Sequence, residues 1–522
     1  MNLPGIKWRL LQRLILLLIL LVALLRFVNL GTKPYWYDEV ITSLRISGYT
    51  TTDVYEFSRS GQKTFGSIKF FQCVNQDRNL EDTFNSLITD SSHPPLYFGL
   101  LYYWIKFTGC SVSNIRLFSA GVSLLIIPLS YALALEIFSS SAIALLATTL
   151  MANSPVLLIY AQEARSYSLL IVLSLLSSLI LFRIQNKRKT FDVCCYTLVS
   201  AAGLYCHTLY YLVIIAQGVF CLFYSSPHQQ EVLFDSWLKR MKYHCRRNQQ
   251  IFMSLLISWV LFLPWLVKVI HQNGFTVRVG ADGSWKEFSI DTLWQRIILN
   301  FSNLIYDFDN PLKTAIFTKP PINSSLLNLG WENIIVVVFA VVVILFSLLY
   351  TLRKNYFNRL ILLFLLATPS LLFLFKDLVV GGSLSMVIRY QLLTTCCIYF
   401  SLAYCFVDCF KKNKNKTLVR NGIIGLITVV LLLQTYSNWG YLTAPTWWSK
   451  PKDYQIKEYA AVVNQSPSPI VLVEASPRAM INLIKLTHVL NPSTPFRLVA
   501  NEDLSKMLRQ NPKAFPEPST VE

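Results

Sequence analysis

The sequence carries little charge for a chain of 522 residues. Charged residues make up 14% and hydrophobic residues 53%, whereas a soluble domain has roughly 25% charged residues. A Walker loop, the glycine fingerprint of dinucleotide-binding domains and a Cys-x-x-Cys pair are also missing. The composition excludes a soluble globular protein. The missing motifs indicate that any reaction must draw its energy from a substrate that is already activated.

Two further absences narrow the class of membrane protein. The roughly ten-residue alternation of β-barrel strands is missing, and repeated halves of the kind found in many transporters are not seen. Apolar runs close to the roughly 20 residues that cross a bilayer as a helix recur along the chain. We therefore predict an all-α polytopic membrane protein. Its eleven predicted spans are 10–30, 115–137, 141–160, 166–182, 191–206, 208–225, 251–270, 333–352, 359–376, 386–409 and 420–437.

Basic residues predict how these spans are oriented. Cytoplasmic loops are rich in Lys and Arg, and the basic clusters lie at 183–189, 239–247, 353–359 and 411–420. The first span also follows basic residues; it is leucine-rich and no small-residue cleavage site follows it, so we expect a retained anchor with a cytoplasmic N-terminus. The net charge of +19 is thus a topology signal, and no nucleic-acid partner is predicted.

The segments 31–114, 271–332 and 438–522 are predicted to lie on the outer face of the cell membrane. Within the first of them, the apolar stretch 95–108 is too short to span, so we expect an in-plane or re-entrant helix. The stretch 191–225 must cross twice, with His207 at its outer turn. The predicted transmembrane domain is therefore 1–437.

The tail 438–522 is predicted to be a small extracytoplasmic α/β module. Its pattern favours alternating helices and strands, followed by a short helix from Glu502 and a disordered end. The predicted elements are a helix at 454–464, a strand at 470–473, a helix at 478–489 and a strand at 496–499.

Most of the eleven cysteines lie within apolar runs. Cysteine in such a place is more often a small packing residue than part of a disulfide framework. We expect this of Cys194, Cys195, Cys206, Cys221, Cys396, Cys397, Cys405 and Cys409.

An acidic pair follows the first span, in the run Tyr35-Trp36-Tyr37-Asp38-Glu39. A carboxylate at the edge of the hydrocarbon is well placed to have a raised pKa and to act as a general base. Asp38 is the first catalytic candidate. The alternative is a solvated acidic pair beside ordinary interfacial aromatic residues.

Other ionisable residues fall near the same predicted outer boundary. Such residues at membrane depth are costly and are functional by default. Arginine suits a phosphate because its donors match the phosphate oxygens. The alternatives are a structural turn at His93, mutual neutralisation of Glu163 and Arg165, snorkelling of Arg389 and a polar turn at His207. The catalytic candidates are Asp38, Glu39, His93 and Glu163; the substrate-binding candidates are Gln162, Arg165, Tyr167, His207, Arg389 and Tyr390.

The order and spacing of these motifs resemble the bacterial GT-C glycosyltransferases. The chain is most similar to family 39 members, which are related to protein O-mannosyltransferases and to the lipid A aminoarabinose transferase. The resemblance covers about residues 8–225. The motifs that carry it are Asp38-Glu39, His93-Pro94-Pro95-Leu96-Tyr97, Arg116-Leu117-Phe118-Ser119, the run 160–167 and Arg389-Tyr390.

The resemblance implies a bundle of transmembrane helices with a large first outer loop and a polyprenyl-phosphate sugar as donor. It implies a catalytic carboxylate at Asp38, and active-site or phosphate-binding roles for His93, Glu163, Arg165 and Arg389. The aminoarabinose transferase has Glu-Lys-Pro where this chain has His93-Pro94-Pro95. The acceptor of that enzyme is therefore not carried over, and lipid, glycan and protein acceptors stay open.

The mechanism expected is a single displacement with inversion. Asp38 would deprotonate an acceptor hydroxyl, which attacks the anomeric carbon of a hexosyl or pentosyl donor, while Arg165 and Arg389 stabilise the departing lipid phosphate. No cofactor is required by the sequence. A divalent cation held by Asp38, Glu39 and His93 is an open alternative.

Two other classes of protein compete with this interpretation. A transporter or flippase of lipid-linked sugars would favour ionisable groups at the midplane and repeated halves. A non-catalytic scaffold with a sensory tail gives no reason for the ionisable residues to share one boundary.

Overall fold

The computed structural model describes most of the chain. The described residues are 5–89, 93–187, 189–223, 237–273, 290–317, 325–353, 367–382, 384–450, 453, 455–502 and 506. The predicted short helix from Glu502 and the chain end lie outside them. The same is true of residues 359–366 of the predicted span 359–376, whereas 367–376 are described.

Helices dominate the described residues. In chain order they are α1 Gly5–Leu24, α2 Tyr37–Ile46, α3 Thr51–Arg59, α4 Leu80–Ile88, α5 Leu96–Thr108, α6 Val112–Ser123, α7 Ile126–Phe138, α8 Ser141–Ala152, α9 Pro155–Ala161, α10 Tyr167–Asn186, α11 Thr190–Cys206, α12 Tyr210–Phe223, α13 Trp237–Arg247, α14 Gln249–Asn273, α15 Ile290–Ser302, α16 Pro311–Phe317, α17 Trp331–Leu352, α18 Thr368–Val379, α19 Leu392–Lys412, α20 Thr417–Thr443, α21 Ile456–Gln465 and α22 Met480–Leu486. Short 3₁₀ turns occur at 25–27, 65–72, 326–329, 384–386 and 388–391.

A three-stranded sheet is the β-structure of the described residues. Its strands are β1 Lys63–Thr64, β2 Val471–Glu474 and β3 Pro495–Val499. β3 lies in the middle, parallel to β2 and antiparallel to β1. The two tail strands and the helices α21 and α22 confirm the predicted α/β character of the tail, with ends shifted by at most three residues.

Six helical segments of the described residues are long and apolar enough to cross a membrane. They are Val112–Phe138, Tyr167–Asn186, Gln249–Gln272, Trp331–Leu352, Ile388–Lys412 and Thr417–Thr443. The bent pair α8 and α9 would make a seventh, and the predicted spans 191–206 and 208–225 form the shorter apolar helices α11 and α12. The predicted first span forms α1, which ends at Leu24. These elements confirm the polytopic all-α class.

The chain divides into two units. The helical unit comprises residues 1–28, 91–94 and 119–443, and the second unit comprises 29–90, 95–118 and 444–522. Within the helical unit, α10 is buried on nearly every face, whereas α17 exposes Ile335, Val338 and Val342 along one side. A helix that is apolar all round belongs in the interior, and an apolar exposed stripe suits contact with lipid.

The second unit joins the predicted first outer loop to the predicted tail. β1 from the loop pairs with β3 from the tail, with Lys63 opposite Phe496. The backbone N–H of Gly66 donates to the carbonyl of Pro492 at 2.8 Å. A disulfide joins Cys73 to Cys110 within the same unit. The tail is therefore part of a shared sheet, because its central strand needs the loop strand to complete its hydrogen bonds.

Some of the cysteines that were predicted to pack within apolar runs are buried, and others are not. All eight are free, and five of them are buried, whereas Cys194 is exposed on α11. The buried five are Cys206, Cys221, Cys396, Cys397 and Cys405. The disulfide of the second unit uses two cysteines for which the apolar runs made no prediction.

The predicted topology is tested by labelling cysteines from outside the cell. Cys245 is exposed on the basic helix α13, which is predicted to be cytoplasmic. Ser468 is exposed in the tail. A Ser468→Cys chain should react with an impermeant maleimide on intact cells, and Cys245 should react only after lysis. Labelling of the tail only after lysis would contradict the predicted orientation.

Candidate active site

A broken helix presents the first group of candidate residues. α8 and α9 meet at an angle of 56°, because Pro155 begins α9 and the Ser154 hydroxyl caps it by accepting from the Leu157 backbone N–H at 3.2 Å. α9 ends at Ala161, and α10 begins at Tyr167. The candidates Gln162, Glu163 and Arg165 thus occupy a short irregular connection, and all three are buried.

Gln162 fastens this connection to the end of the first helix. Its amide nitrogen donates to the carbonyls of Leu25 at 3.2 Å, Arg26 at 3.3 Å and Val28 at 2.8 Å. These carbonyls lie where α1 ends, and terminal carbonyls need such donors. The contacts give Gln162 a structural role that the sequence did not predict.

Arg165 is hydrogen-bonded to His93. The guanidinium Nη2 lies 2.8 Å from Nε2 of His93. A guanidinium has no acceptor, so Nε2 of His93 accepts this bond. The Arg165 guanidinium also lies 5.9 Å from the centroid of the Tyr167 ring. The structure therefore brings together three candidates, of which Arg165 and His93 are 72 residues apart in sequence.

His207 lies in the turn between α11 and α12 beside the same group. Its ring is 5.5 Å from that of Tyr167, and its Nδ1 accepts the backbone N–H of Leu209 at 3.0 Å. Burial is the largest cause that lowers the pKa of His207, which falls to about 3. The neighbouring Arg165, His93 and Arg389 lower the pKa further. The ring is therefore neutral at ordinary pH and carries its proton on Nε2, as a donor.

Glycine is required at the end of α11 for this turn. A Cβ atom at position 203 would lie 2.2 Å from Cζ of Tyr210. Tyr210 is fully buried in the first turn of α12. The close approach of the two helices thus depends on Gly203, and His207 follows four residues later.

Arg389 lies in a 3₁₀ turn that neighbouring helices hold in place. Oδ2 of Asp377, on α18, accepts the Ser385 backbone N–H at 2.7 Å and the Ser385 hydroxyl at 2.8 Å. Nδ2 of Asn300, on α15, donates to the Met386 carbonyl at 2.8 Å. These buried contacts fix the backbone that leads into Arg389. The Arg389 guanidinium lies 5.3 Å from the ring centroid of Tyr390.

Asp377→Ala is expected to loosen the turn of Arg389, because it removes both acceptor contacts to Ser385. Hydrogen exchange of residues 385–391, followed by mass spectrometry, should become faster by roughly 10-fold. Asp291→Ala is the matched control, since it removes an exposed carboxylate from α15. Equal exchange in the two variants would remove Asp377 from this role.

In the second unit, Glu39 forms a buried ion pair with Arg116. Nε of Arg116 donates to Oε1 at 2.8 Å, and Nη2 donates to Oε2 at 2.6 Å. The same guanidinium binds the carbonyls of Leu30 at 2.7 Å and Pro34 at 2.9 Å. Both carboxylate oxygens of Glu39 thus accept hydrogen bonds from Arg116, and the ion pair fixes the segment that leads into α2.

Asp38 occupies the first turn of α2, beside Glu39. Its side chain is partly exposed, in contrast to the fully buried Glu39. Its backbone carbonyl accepts the Thr42 hydroxyl at 3.0 Å, which stabilises the turn. A carboxylate at this position is also favoured by the helix dipole.

The sequence left a metal site open at Asp38, Glu39 and His93. No group of three or more His, Cys, Asp or Glu side chains that could hold a metal ion occurs among the residues described by the structure. Of the candidate ligands, Glu39 is engaged by Arg116.

No protein-family model and no curated protein sequence matches the chain. Solved structures are similar to it in fold. ArnT from Cupriavidus metallidurans, bound to undecaprenyl phosphate, is 10% identical, with a TM-score of 0.49 over 97% of this chain and 88% of that chain. The Archaeoglobus fulgidus oligosaccharyltransferase tethered with an acceptor peptide is 11% identical, with a TM-score of 0.47 over 92% of this chain and 64% of that chain, which is less than two thirds of its length.

Proposed function

We propose that the protein is a glycosyltransferase that moves a sugar from a polyprenyl-phosphate-linked donor to a lipid, glycan or protein acceptor at the outer face of the membrane. The observation that carries this proposal is the cationic cluster of the helical unit. In it, Nη2 of Arg165 is hydrogen-bonded to Nε2 of His93 at 2.8 Å. The charges of Arg165 and Arg389 both lower the pKa of His207. Such a cluster within an apolar bundle suits the phosphate of a membrane lipid.

The positive charge of the cluster is carried by its two arginines. His207 is neutral because burial and the neighbouring charges lower its pKa, and Nε2 of His93 accepts from Arg165. A guanidinium keeps its charge when water is removed, and its interaction with a phosphate strengthens as the local dielectric falls. Arg165 and Arg389 are therefore suited to a phosphate whose negative charge increases as the sugar leaves.

A departing lipid phosphate needs electrostatic stabilisation rather than protonation, because it is a stable anion at neutral pH. The proton on Nε2 of His207 provides a neutral donor beside the arginines. Preorganised donors of this kind stabilise the charge that develops in a transition state.

Asp38 is proposed as the general base that takes the acceptor proton. Its neighbour Glu39 accepts hydrogen bonds from Arg116 on both oxygens, at 2.8 and 2.6 Å. That carboxylate therefore has a structural role. Asp38 is the partly exposed member of the pair and can receive a proton from a hydroxyl. The hydroxyl oxygen then bonds to the anomeric carbon as the bond from that carbon to the phosphate oxygen breaks.

The proposal is tested with purified protein in liposomes that contain a defined undecaprenyl-phosphate sugar. A cell-envelope extract from a deletion strain supplies acceptors, and mass spectrometry follows the sugar and the released lipid phosphate. We expect stoichiometric release of undecaprenyl phosphate and transfer of the sugar to an extract component. Movement of intact donor between leaflets without release would instead support a flippase.

A further inference from the structure

The two aromatic residues that precede the Tyr37-Asp38 pair are both held by the tail. Nζ of Lys450 lies 3.3 Å from the ring centroid of Trp36. The ring of His488 lies 4.6 Å from that of Tyr35. Lys450 and His488 are 38 residues apart in the tail, and they contact the consecutive residues Trp36 and Tyr35 of the loop.

The His488 contact is part of a buried polar network. Nε2 of His488 lies 2.7 Å from Oε1 of Gln72, to which it donates. The amide nitrogen of Gln72 donates to the hydroxyl of Thr487 at 2.9 Å. The tail and the loop thus exchange hydrogen bonds in both directions, which fixes the orientation of the His488 ring.

Lys450 is equally well held. Its backbone N–H donates to the Trp447 carbonyl at 3.0 Å, and its own carbonyl accepts from Asp453 at 2.9 Å. Asp453 is buried in an ion pair with Lys485, which belongs to α22. A cation over the face of a tryptophan ring is attracted by the ring's quadrupole. Trp36 is therefore held by a residue whose backbone is hydrogen-bonded within the tail.

Both contacts reach α2, the helix that carries Asp38. Trp36 immediately precedes α2, and the hydroxyl of Tyr35 is hydrogen-bonded to Ser43 on that helix. α2 also packs against α22 of the tail. The position of the first turn of α2 is thus determined from two sides by residues more than 400 positions later in the chain.

We infer that the tail positions Asp38, with Lys450 and His488 as positioning residues that act through Trp36 and Tyr35. The inference rests on the proposed function for its catalytic consequence. Its structural part, that the tail orders the first turn of α2, is measurable without any activity. A displacement of about 1 Å of a reacting group can cost on the order of 100-fold in rate, so even a modest loosening of α2 should lower kcat.

The experiment compares Lys450→Met with the parent in full-length protein in nanodiscs. Methionine keeps the length of the side chain and removes the cation. Lys450→Arg keeps the cation over the ring, and Arg497→Met removes an exposed cation from β3 of the same tail. His488→Phe is the second variant, because it keeps a ring beside Tyr35 and removes the bond to Gln72.

Hydrogen exchange of residues 35–46, followed by mass spectrometry, is the first measurement. Exchange there should be on the order of 10-fold faster in Lys450→Met and His488→Phe, and unchanged in Lys450→Arg and Arg497→Met. The second measurement is transfer kinetics: kcat should fall on the order of 10-fold with the KM for donor unchanged, and Lys450→Arg should restore it.

Parental exchange in residues 35–46 of both variants would overturn the inference. Altered exchange with unchanged kcat would also overturn the inference, because the tail would then order α2 without determining the position of Asp38. If the parent itself transfers no sugar, the proposed function fails, and the exchange experiment still decides whether the tail orders α2.

Discussion

Asp38→Asn is expected to insert and fold like the parent chain and to lose nearly all sugar transfer. Asparagine keeps the size of the side chain and most of its hydrogen bonding, but it cannot take a proton. General-base assistance is typically worth about 10²–10⁴-fold in rate. The measurement is release of undecaprenyl phosphate from a defined lipid-phosphate sugar by matched amounts of folded protein, with the acceptor found in the liposome assay.

Glu39→Gln provides the comparison for Asp38→Asn. It removes one charge of a buried ion pair in which both carboxylate oxygens are bonded to Arg116. Breaking such a pair on one side typically costs about 3–5 kcal/mol of stability. Its main effect should therefore be a lower unfolding temperature, with a smaller loss of kcat than in Asp38→Asn. Near-parental turnover by Asp38→Asn would move the proposed base to Glu163.

Arg165→Ala and Arg389→Ala are each expected to weaken the binding of undecaprenyl phosphate by about 10–10²-fold. Each variant removes charge-assisted hydrogen bonds to phosphate, which are worth about 1.5–3 kcal/mol. Binding is measured by titration of the lipid into nanodisc-embedded protein, so no acceptor is needed. The binding loss should be accompanied by a proportionate loss of transfer.

Arg183→Ala is the matched control for these arginines. Arg183 lies in the last turn of α10 and is exposed, so its removal changes the net charge without touching the cluster. If Arg165→Ala and Arg389→Ala both bind the lipid like Arg183→Ala, the two arginines are structural, and the cluster is not a phosphate site.

The local patterns of the sequence predicted the helices and the tail strands well. Long apolar runs produced α10, α17 and α20, and the run Val471–Glu474 formed a strand, because these signals depend on neighbours along the chain. The motif residues Arg165 and His93 were also identified, although their contact was not. Their pairing depends on the bend between α8 and α9, which brings the connection after Ala161 beside His93.

The features that the sequence did not predict depend on contacts between residues that are not adjacent in the chain. β1 has only two residues, Lys63 and Thr64, and it exists because β3 offers hydrogen bonds to it. The hydrogen bonds from Ser385 to Asp377 were likewise not predicted, because an Asp beside Lys376 has the sequence pattern of a solvated helix end. Gln162 matched a site motif, yet its amide is used to hold the end of α1.

The pairing of β1 with β3 also sets an order of events during synthesis. Lys63 and its partner Phe496 are 433 positions apart, since 496 minus 63 is 433. At roughly 5–20 residues per second, the ribosome needs about 20–90 s to make the intervening chain. The segment around Asp38 must wait through this interval, while the described helices α4 to α22 are made. A chain that stops before residue 495 would therefore carry all 22 described helices and still lack the strand that completes the sheet.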